Sequence, residues 1–340
     1  MPLEISAYHP EDTRGIVAAW NQSIHADPMT LQRFRDLILL DVNFDADGLR
    51  VAREDGQVVG AAYAVRRRTA MVGTDLEPAT GWIPFFFVAP RARRNGVGSA
   101  LLTSAMDWLA GHGAATVYFS SYTPNYILPG LDAEAYPEAA ALLASLGFER
   151  QYQAVAMDRL LVDYTFPESL AARVEDLRAN GYHLGGADVD DLAELVTLAG
   201  DHFNPDWARA IREAVVGGMP LENILVARDA GGRLVGWAMH GTYEGATDRF
   251  GPFGVREDQR GTGIGKALLH LTLHHMKARG SHSAWFLWTG EDSPAGHLYL
   301  ATEFHITRRF DILAAPIGRF AQSRRDLSVS MARGSSTVIA

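Results

Sequence analysis

Residues 88–102 read V-A-P-R-A-R-R-N-G-V-G-S-A-L-L, and residues 255–269 read V-R-E-D-Q-R-G-T-G-I-G-K-A-L-L. At a shift of 167 residues, seven of the fifteen positions are identical: Val88/Val255, Arg93/Arg260, Gly96/Gly263, Gly98/Gly265, Ala100/Ala267, Leu101/Leu268 and Leu102/Leu269. Each stretch follows a β-rich run and opens an amphipathic helical pattern, so a strand, a glycine run and a helix occur twice in the same order. The match extends outward. Val51-Ala52-Arg53 recurs as Val226-Ala227-Arg228, and Val59-Gly60 recurs as Val235-Gly236. Asp27-Pro28 and Asn204-Pro205 each place a capping side chain before a proline, which predicts a helix start in each half. Two copies are too few for a solenoid; the reading is one domain written twice.

Both halves predict the same order of elements. A short strand (4–8; 182–185) precedes two helices (11–24 and 28–40; 189–202 and 205–216), then a hairpin of two β-rich runs. A further strand (82–88; 248–255) leads into the glycine run and its helix (98–111; 265–279), followed by a strand (116–121; 284–289), a helix and a final strand. The fold class is α/β, an α+β type with a mixed sheet. The expected domains are 1–165 and 176–316, with the boundary near 165–175 and a polar tail at 317–340.

Composition narrows the function. Of 340 residues, 47% are hydrophobic and 21% charged, the balance of a globular chain of about two domains. No apolar run approaches the roughly 20 residues of a membrane span, and the N-terminus, M-P-L-E-I-S, lacks the apolar core of a secretory signal. Cysteine is absent, which excludes disulfides, thiolate metal sites and a cysteine nucleophile. A cytoplasmic location is the expectation. A net charge of −9 argues against a nucleic-acid partner, and no membrane partner is expected.

The pattern R-x-x-G-x-G between a strand and a helix points to anion cradling. Glycines let the backbone approach a ligand and aim successive N–H groups at it. The helix N-terminus adds about half a positive charge, which suits a pyrophosphate. Two other glycine loops are excluded. A nucleotidase loop needs glycine where Arg260 stands and Ser or Thr where Ala267 stands; a dinucleotide fold needs a third glycine where Leu101 and Leu268 stand.

These residues resemble motif A of the GCN5-related N-acetyltransferase (GNAT) superfamily, and two such domains in one chain resemble its tandem members of the mycothiol-synthase type. The resemblance covers residues 3–313 and implies two tandem acyl-CoA N-acyltransferase domains packed as a pseudo-dimer within a monomer. It implies acetyl-CoA as acyl donor and a primary amine of a small molecule as acceptor, with no metal. The strand positions that would pair with the pantetheine arm are Phe87 and Val88 in the first half and Gly254 and Val255 in the second. The pyrophosphate amides map to Arg93, Arg94, Asn95, Gly96, Val97 and Gly98, and to Arg260, Gly261, Thr262, Gly263, Ile264 and Gly265, with Lys266 following. Family members carry a tyrosine in L-Y-x-x-x-G-F that protonates the departing thiolate. Here Leu298-Tyr299 precedes Phe304, with Glu303 in place of the glycine; the first half has Leu143 at the tyrosine position. The resemblance therefore implies that the second half catalyses and the first is degenerate.

The attacking amine must lose a proton. His240, Glu244, Asp248 and Asp292 are the base candidates. His270 and His274 have metal-ligand spacing but no evident third ligand, so a solvated helix face is expected. Between the glycine run and Phe148/Phe304 the shift falls from 167 to 156, so the first half carries eleven extra residues in a Tyr/Pro-rich loop that either lines a cleft or covers an edge. Two alternatives remain open: a transferase using another acyl-CoA or acceptor, and a non-catalytic acetyl-CoA-binding regulator or scaffold.

Overall fold

The computed structural model describes residues 3–318. These form two compact units: residues 3–70, 75–154 and 309–318, and residues 71–74 and 155–308. In chain order the elements are β1 (Glu4–Ala7), α1 (Thr13–Ser23), α2 (Leu31–Phe34), β2 (Leu49–Glu54), β3 (Gln57–Val65), β4 (Thr80–Val88), α3 (Val97–Gly111), β5 (Thr116–Phe119), α4 (Pro137–Ser145), β6 (Glu149–Leu160), α5 (Glu168–Ala179), β7 (His183–Gly186), α6 (Leu192–His202), α7 (Pro205–Val216), β8 (Ile224–Arg228), β9 (Leu234–His240), β10 (Phe250–Val255), α8 (Ile264–Ala278), β11 (Ser283–Thr289), α9 (Pro294–Leu300) and β12 (His305–Pro316).

The first unit orders its sheet β1-β2-β3-β4-β5, antiparallel except for the β4–β5 pair, and residues 313–316 of β12 close it against β5. The second unit has the antiparallel sheet β7-β8-β9-β10, while β11 pairs with residues 155–160 of β6. The units are thus not the contiguous halves 1–165 and 176–316: each of the two long strands, β6 and β12, begins in one unit and ends in the other. A strand's hydrogen bonds, not its place in the chain, decide which sheet it completes. Most of the expected tail, residues 319–340, lies outside the described residues.

In each unit the sheet carries helices on both faces. In the first, α3 buries Leu101, Leu102, Ala105, Met106 and Leu109 on one side, and α1 buries Ile16, Val17 and Trp20 on the other. In the second, α8 buries Ala267, Leu268, Leu269, Leu273 and Met276 with α5 on one side, and α6 and α7 bury Leu195, Leu198 and Ile211 on the other. The repeated Val-Gly step has a packing cause. A Cβ on Gly60 would lie 2.7 Å from Phe87 O, and one on Gly236 3.0 Å from Gly254 O.

Two local expectations need correction. The Asn204-Pro205 start holds, since Asn204 Oδ1 accepts from Asp206 N at 2.8 Å. Asp27-Pro28 does not start its helix: Thr30 caps α2 by accepting from Arg33 N, and after one turn the backbone widens into a π-helical stretch, Arg35–Leu39. The segment 165–175, read as a boundary, holds the start of α5, whose Leu170, Val174 and Leu177 are buried at helical spacing.

The repeated Val-Ala-Arg also has a structural cause. Asp12 accepts from His9 N at 2.8 Å and takes both arms of the Arg53 guanidinium. Asp191 likewise accepts from Asp188 N at 2.9 Å and from Arg228. One clamp ties the start of α1 to β2, the other the start of α6 to β8. Burial pushes the Asp191 carboxyl up, but the Asp188 N–H and Arg228 outweigh it and hold it below its usual range. The unfolded carboxyl therefore binds its proton first, so this contribution is present at neutral pH and is lost on acidification through the lowered value. Arg228→Ala should cost about 2–3 kcal/mol in denaturant unfolding of the whole chain at pH 7, and less as the pH falls below the ordinary carboxylate value of about 3.9.

Candidate functional site

Both units build the same cradle. In the second, a single parallel bridge, Arg249↔Trp285, joins the residue before β10 to β11, and no ladder joins the two strands beyond it among the described residues. In the first, the parallel ladder runs from Thr80↔Thr116 to Ile83↔Phe119 and then stops. The pairing thus ends at Ile83 and at Arg249, well before the glycine runs, leaving one edge of Phe87-Val88 and of Gly254-Val255 without a sheet neighbour. Gly254 has a further reason to be glycine, because a Cβ there would lie 2.8 Å from Trp237 and Phe203.

The two loops share one backbone. Gly261 and Gly263 have φ of +80° and +88°; Arg94 and Gly96, the matching residues, have φ of +66° and +78°. Arg94 thus holds a left-handed conformation that costs a side-chain-bearing residue about 1–2 kcal/mol. Neither Gly96 nor Gly263 supplies a side-chain cap; in α8 the first amide, Ile264 N, makes a long 3.5 Å bond to Thr262 Oγ1, and the amides of Gly263 and Gly265 have no acceptor among the bonds described. Two left-handed residues before an uncapped helix form a concave set of N–H donors suited to a phosphate.

The motif arginines do not complete this set. Arg93 Nε donates to Val88 O at 3.1 Å, and Arg260 Nη1 pairs with Glu257 at 3.0 Å. Lys266 is exposed on the first turn of α8. The residue that the motif reading missed is Arg173. Its Nη2 donates to Thr262 O at 2.5 Å. The helical spacing of Leu170, Val174 and Leu177 was the signal that could have placed it on a helix.

Tyr299 lies near the end of α9, which is capped by Ser293 accepting from Gly296 N at 3.0 Å. Its ring is enclosed by Phe286, Phe304, Phe250 and Phe253, with centroids 4.5–6.2 Å away. The side chain is 7% exposed, and its hydroxyl makes no hydrogen bond among the described residues. Burial pushes this phenol above its ordinary value, so it keeps its proton at neutral pH. Glu303 makes the turn that glycine makes elsewhere: its φ is +58° against +85° at Gly147, and Phe304 N reaches Tyr299 O at 3.1 Å just as Phe148 N reaches Leu143 O. A 2.6 Å pair with Arg159 holds the glutamate there. Leu143 sits fully buried in the first unit, with no proton to give.

The base candidates do not converge. His240 is 1% exposed, its Nδ1 lies 2.7 Å from Thr247 O, and its ring packs 5.5 Å from that of His275. Burial lowers its pKa, but an enclosed ring cannot collect a proton from an incoming amine. Glu244 sits 3.7 Å from Arg249, and Asp292 is exposed. Asp248 accepts from Trp285 N through its backbone carbonyl. His270 is not on a solvated face: it is 4% exposed, packed on Tyr164, and burial followed by Arg159 and Lys266 lowers its pKa to about 4. Among the described residues no group of three His, Cys, Asp or Glu could hold a metal.

The extra loop of the first unit covers rather than opens. Tyr122 is buried with its hydroxyl 2.8 Å from Asn43 Nδ2, and Asn125 donates to Leu37 O at 3.0 Å. Arg67 lies buried over the Trp82 and Tyr122 rings and donates to Thr123 O at 2.7 Å. The second unit makes the corresponding stack with its partners exchanged: Tyr243 stands at the Arg67 position and Arg249 at the Trp82 position, 4.3 Å from guanidinium to ring.

Comparison with known proteins agrees with this geometry. A mycothiol acetyltransferase of Clavibacter michiganensis subsp. michiganensis (strain NCPPB 382) is 27% identical over 304 residues, covering 87% of this chain and 89% of the relative. Two solved structures share the fold. One is a GCN5-related glucosamine N-acetyltransferase region of a fungal multi-domain GH3 beta-N-acetylglucosaminidase, with TM-score 0.76 and 19% identity over 92% of this chain; the match spans only 38% of that longer chain. The other is a tandem GNAT protein from the clavulanic acid biosynthesis pathway, with TM-score 0.63 and 17% identity over 93% of this chain and 99% of that one. The family model for GNAT acetyltransferases matches residues 16–127 and again 192–304, so the chain belongs to the acetyltransferase (GNAT) family and carries its domain twice.

Proposed function

We propose that the second unit transfers an acetyl group from acetyl-CoA to a primary amine of a small molecule, by direct attack within a ternary complex. The observation that carries this reading is the pairing, in one unit, of the left-handed amide cradle with a tyrosine whose ring is buried among four phenylalanines and whose hydroxyl keeps its proton. The first unit keeps the cradle and lacks the hydroxyl. The curated relative's name favours a mycothiol-type acceptor, the finer part of the proposal.

On this reading, the amides of residues 261–265 and the start of α8 hold the diphosphate. The open edge of Gly254-Val255 receives the pantetheine arm and donates to the thioester carbonyl as it becomes an oxyanion. The amine nitrogen forms the new C–N bond, the C–S bond breaks, and the thiolate takes the Tyr299 proton. The amine's surplus proton leaves to solvent, since the enclosed His240 is not placed to accept it, and a proton from solvent restores Tyr299 for the next turnover.

Tyr299→Phe should lower kcat about a hundredfold with unchanged acetyl-CoA affinity. It should leave stability intact, because the ring contacts remain. Since burial raises the Tyr299 pKa above 10, deprotonation of this residue should produce no alkaline fall in kcat below pH 10. Unchanged turnover in the variant would remove Tyr299 from the mechanism.

Native mass spectrometry with rising acetyl-CoA tests the cradles. Gly263→Arg places a side chain at φ +88° and should remove one bound molecule per chain together with activity. Gly96→Arg should spare activity. Absence of any acetyl-CoA binding by the wild type would overturn the reading.

A further inference from the structure

We propose that Arg173 binds a phosphate group of the acyl donor at the second glycine loop. The proposal rests on the acetyl-CoA reading above and adds a specificity residue that the family motif does not contain.

Three observations support it. First, the arginine that belongs to the motif, Arg260, is turned toward Glu257 in an exposed pair and not onto the loop amides. Second, α5 delivers another guanidinium to the same loop. Arg173 Nη2 donates to Thr262 O at 2.5 Å, and its Nε lies 3.0 Å from where a Cβ on Gly263 would stand. The guanidinium therefore lies over the left-handed turn that precedes α8. Leu170, Val174 and Leu177, buried at helical spacing, fix the helix from which it reaches.

Third, the exposed Arg173 has donors to spare. A guanidinium has five donors in a rigid fork. Thr262 O is a neutral acceptor that takes one of them, and Arg173 makes no ion pair among the described residues. Lys266 lies exposed on the adjoining first turn of α8. An anion on the free amides of this loop would offer the remaining donors a charged acceptor. Charge-assisted bonds of this kind are about twice as strong as neutral ones. Arg173 lies between the repeated motifs, in chain that the 167-residue alignment leaves unmatched, so the duplication does not give the first loop the same arm.

The phosphate could be the diphosphate or the ribose 3′-phosphate, and three probes separate them: CoA, 3′-dephospho-CoA and phosphate-free pantetheine, each titrated calorimetrically into the full chain. Arg173→Ala should weaken CoA about tenfold and leave pantetheine unchanged, with a smaller effect at high salt. An equal loss with dephospho-CoA assigns the contact to the diphosphate; no loss with dephospho-CoA assigns it to the 3′-phosphate. Arg173→Lys should recover part of the affinity. Arg173→Gln keeps a donor for Thr262 but removes the charge, so it should behave like Arg173→Ala. Wild-type affinity in Arg173→Gln, or equal weakening of all three probes in Arg173→Ala, would make Arg173 a loop strut and overturn the proposal. Failure of the wild type to bind CoA would instead remove the acetyl-CoA reading and this inference with it.

Discussion

Two left-handed residues before an uncapped helix are the constraint on which the rest of each unit depends. A helix N-terminus is an anion site only if its first amides are free and the chain leading to them bends away. Gly261 and Gly263 make that bend in the second unit, and Arg94 and Gly96 repeat it in the first. The sheet supplies the other half of the condition. Its central parallel strands stop pairing at Ile83 and Arg249, so an extended ligand can lie along the strand edge beyond and end on the amides. The helices on both faces fix this arrangement: α3 and α8 are buried along one side, and their N-termini are thereby held at the mouth of the opening.

The duplicated units have kept this backbone while changing what surrounds it. Position 94 tolerates an arginine at positive φ, so the shape survives loss of the glycine. Position 143 holds a core leucine where its counterpart, Tyr299, is a tyrosine with an unpaired hydroxyl. The stack of cation on aromatic persists with its residues exchanged, Arg67 on Trp82 in one unit and Arg249 on Tyr243 in the other. What this interaction requires is a guanidinium facing a ring, and either strand can provide either one. Chemistry is easier to lose than scaffold, because a hydroxyl can vanish without disturbing the packing of its ring position.

The strand exchange shows where contiguous reading of a chain fails. Residues 149–160 and 305–316 each look like the final strand of their own half. Hydrogen-bond pairing assigns residues 313–316 to β5 and residues 155–160 to β11. Alternation of side chains says that a segment is a strand and which faces it presents; it carries no information about which edge accepts it.

The sequence by itself determined the duplication, the mixed α/β class, the glycine loops and the position of Tyr299. Each of these is written in local spacing: repeated identities, periodic apolar residues, and glycines where the backbone turns left-handed. The repeats Val-Ala-Arg and Val-Gly were visible as letters, but their reasons, the Asp12–Arg53 and Asp191–Arg228 clamps and the close approach of Gly60 and Gly236 to the next strand, are long-range contacts. Only the tertiary structure enclosed His240 against His275, spent Arg260 on Glu257, gave Glu303 the left-handed turn expected of glycine, and brought Arg173 from an overlooked helix onto the Thr262 carbonyl. Those outcomes depend on which surfaces meet across nearly ninety residues of chain in the case of Arg173 and Thr262, and local patterns of hydrophobicity and turn chemistry do not encode such meetings.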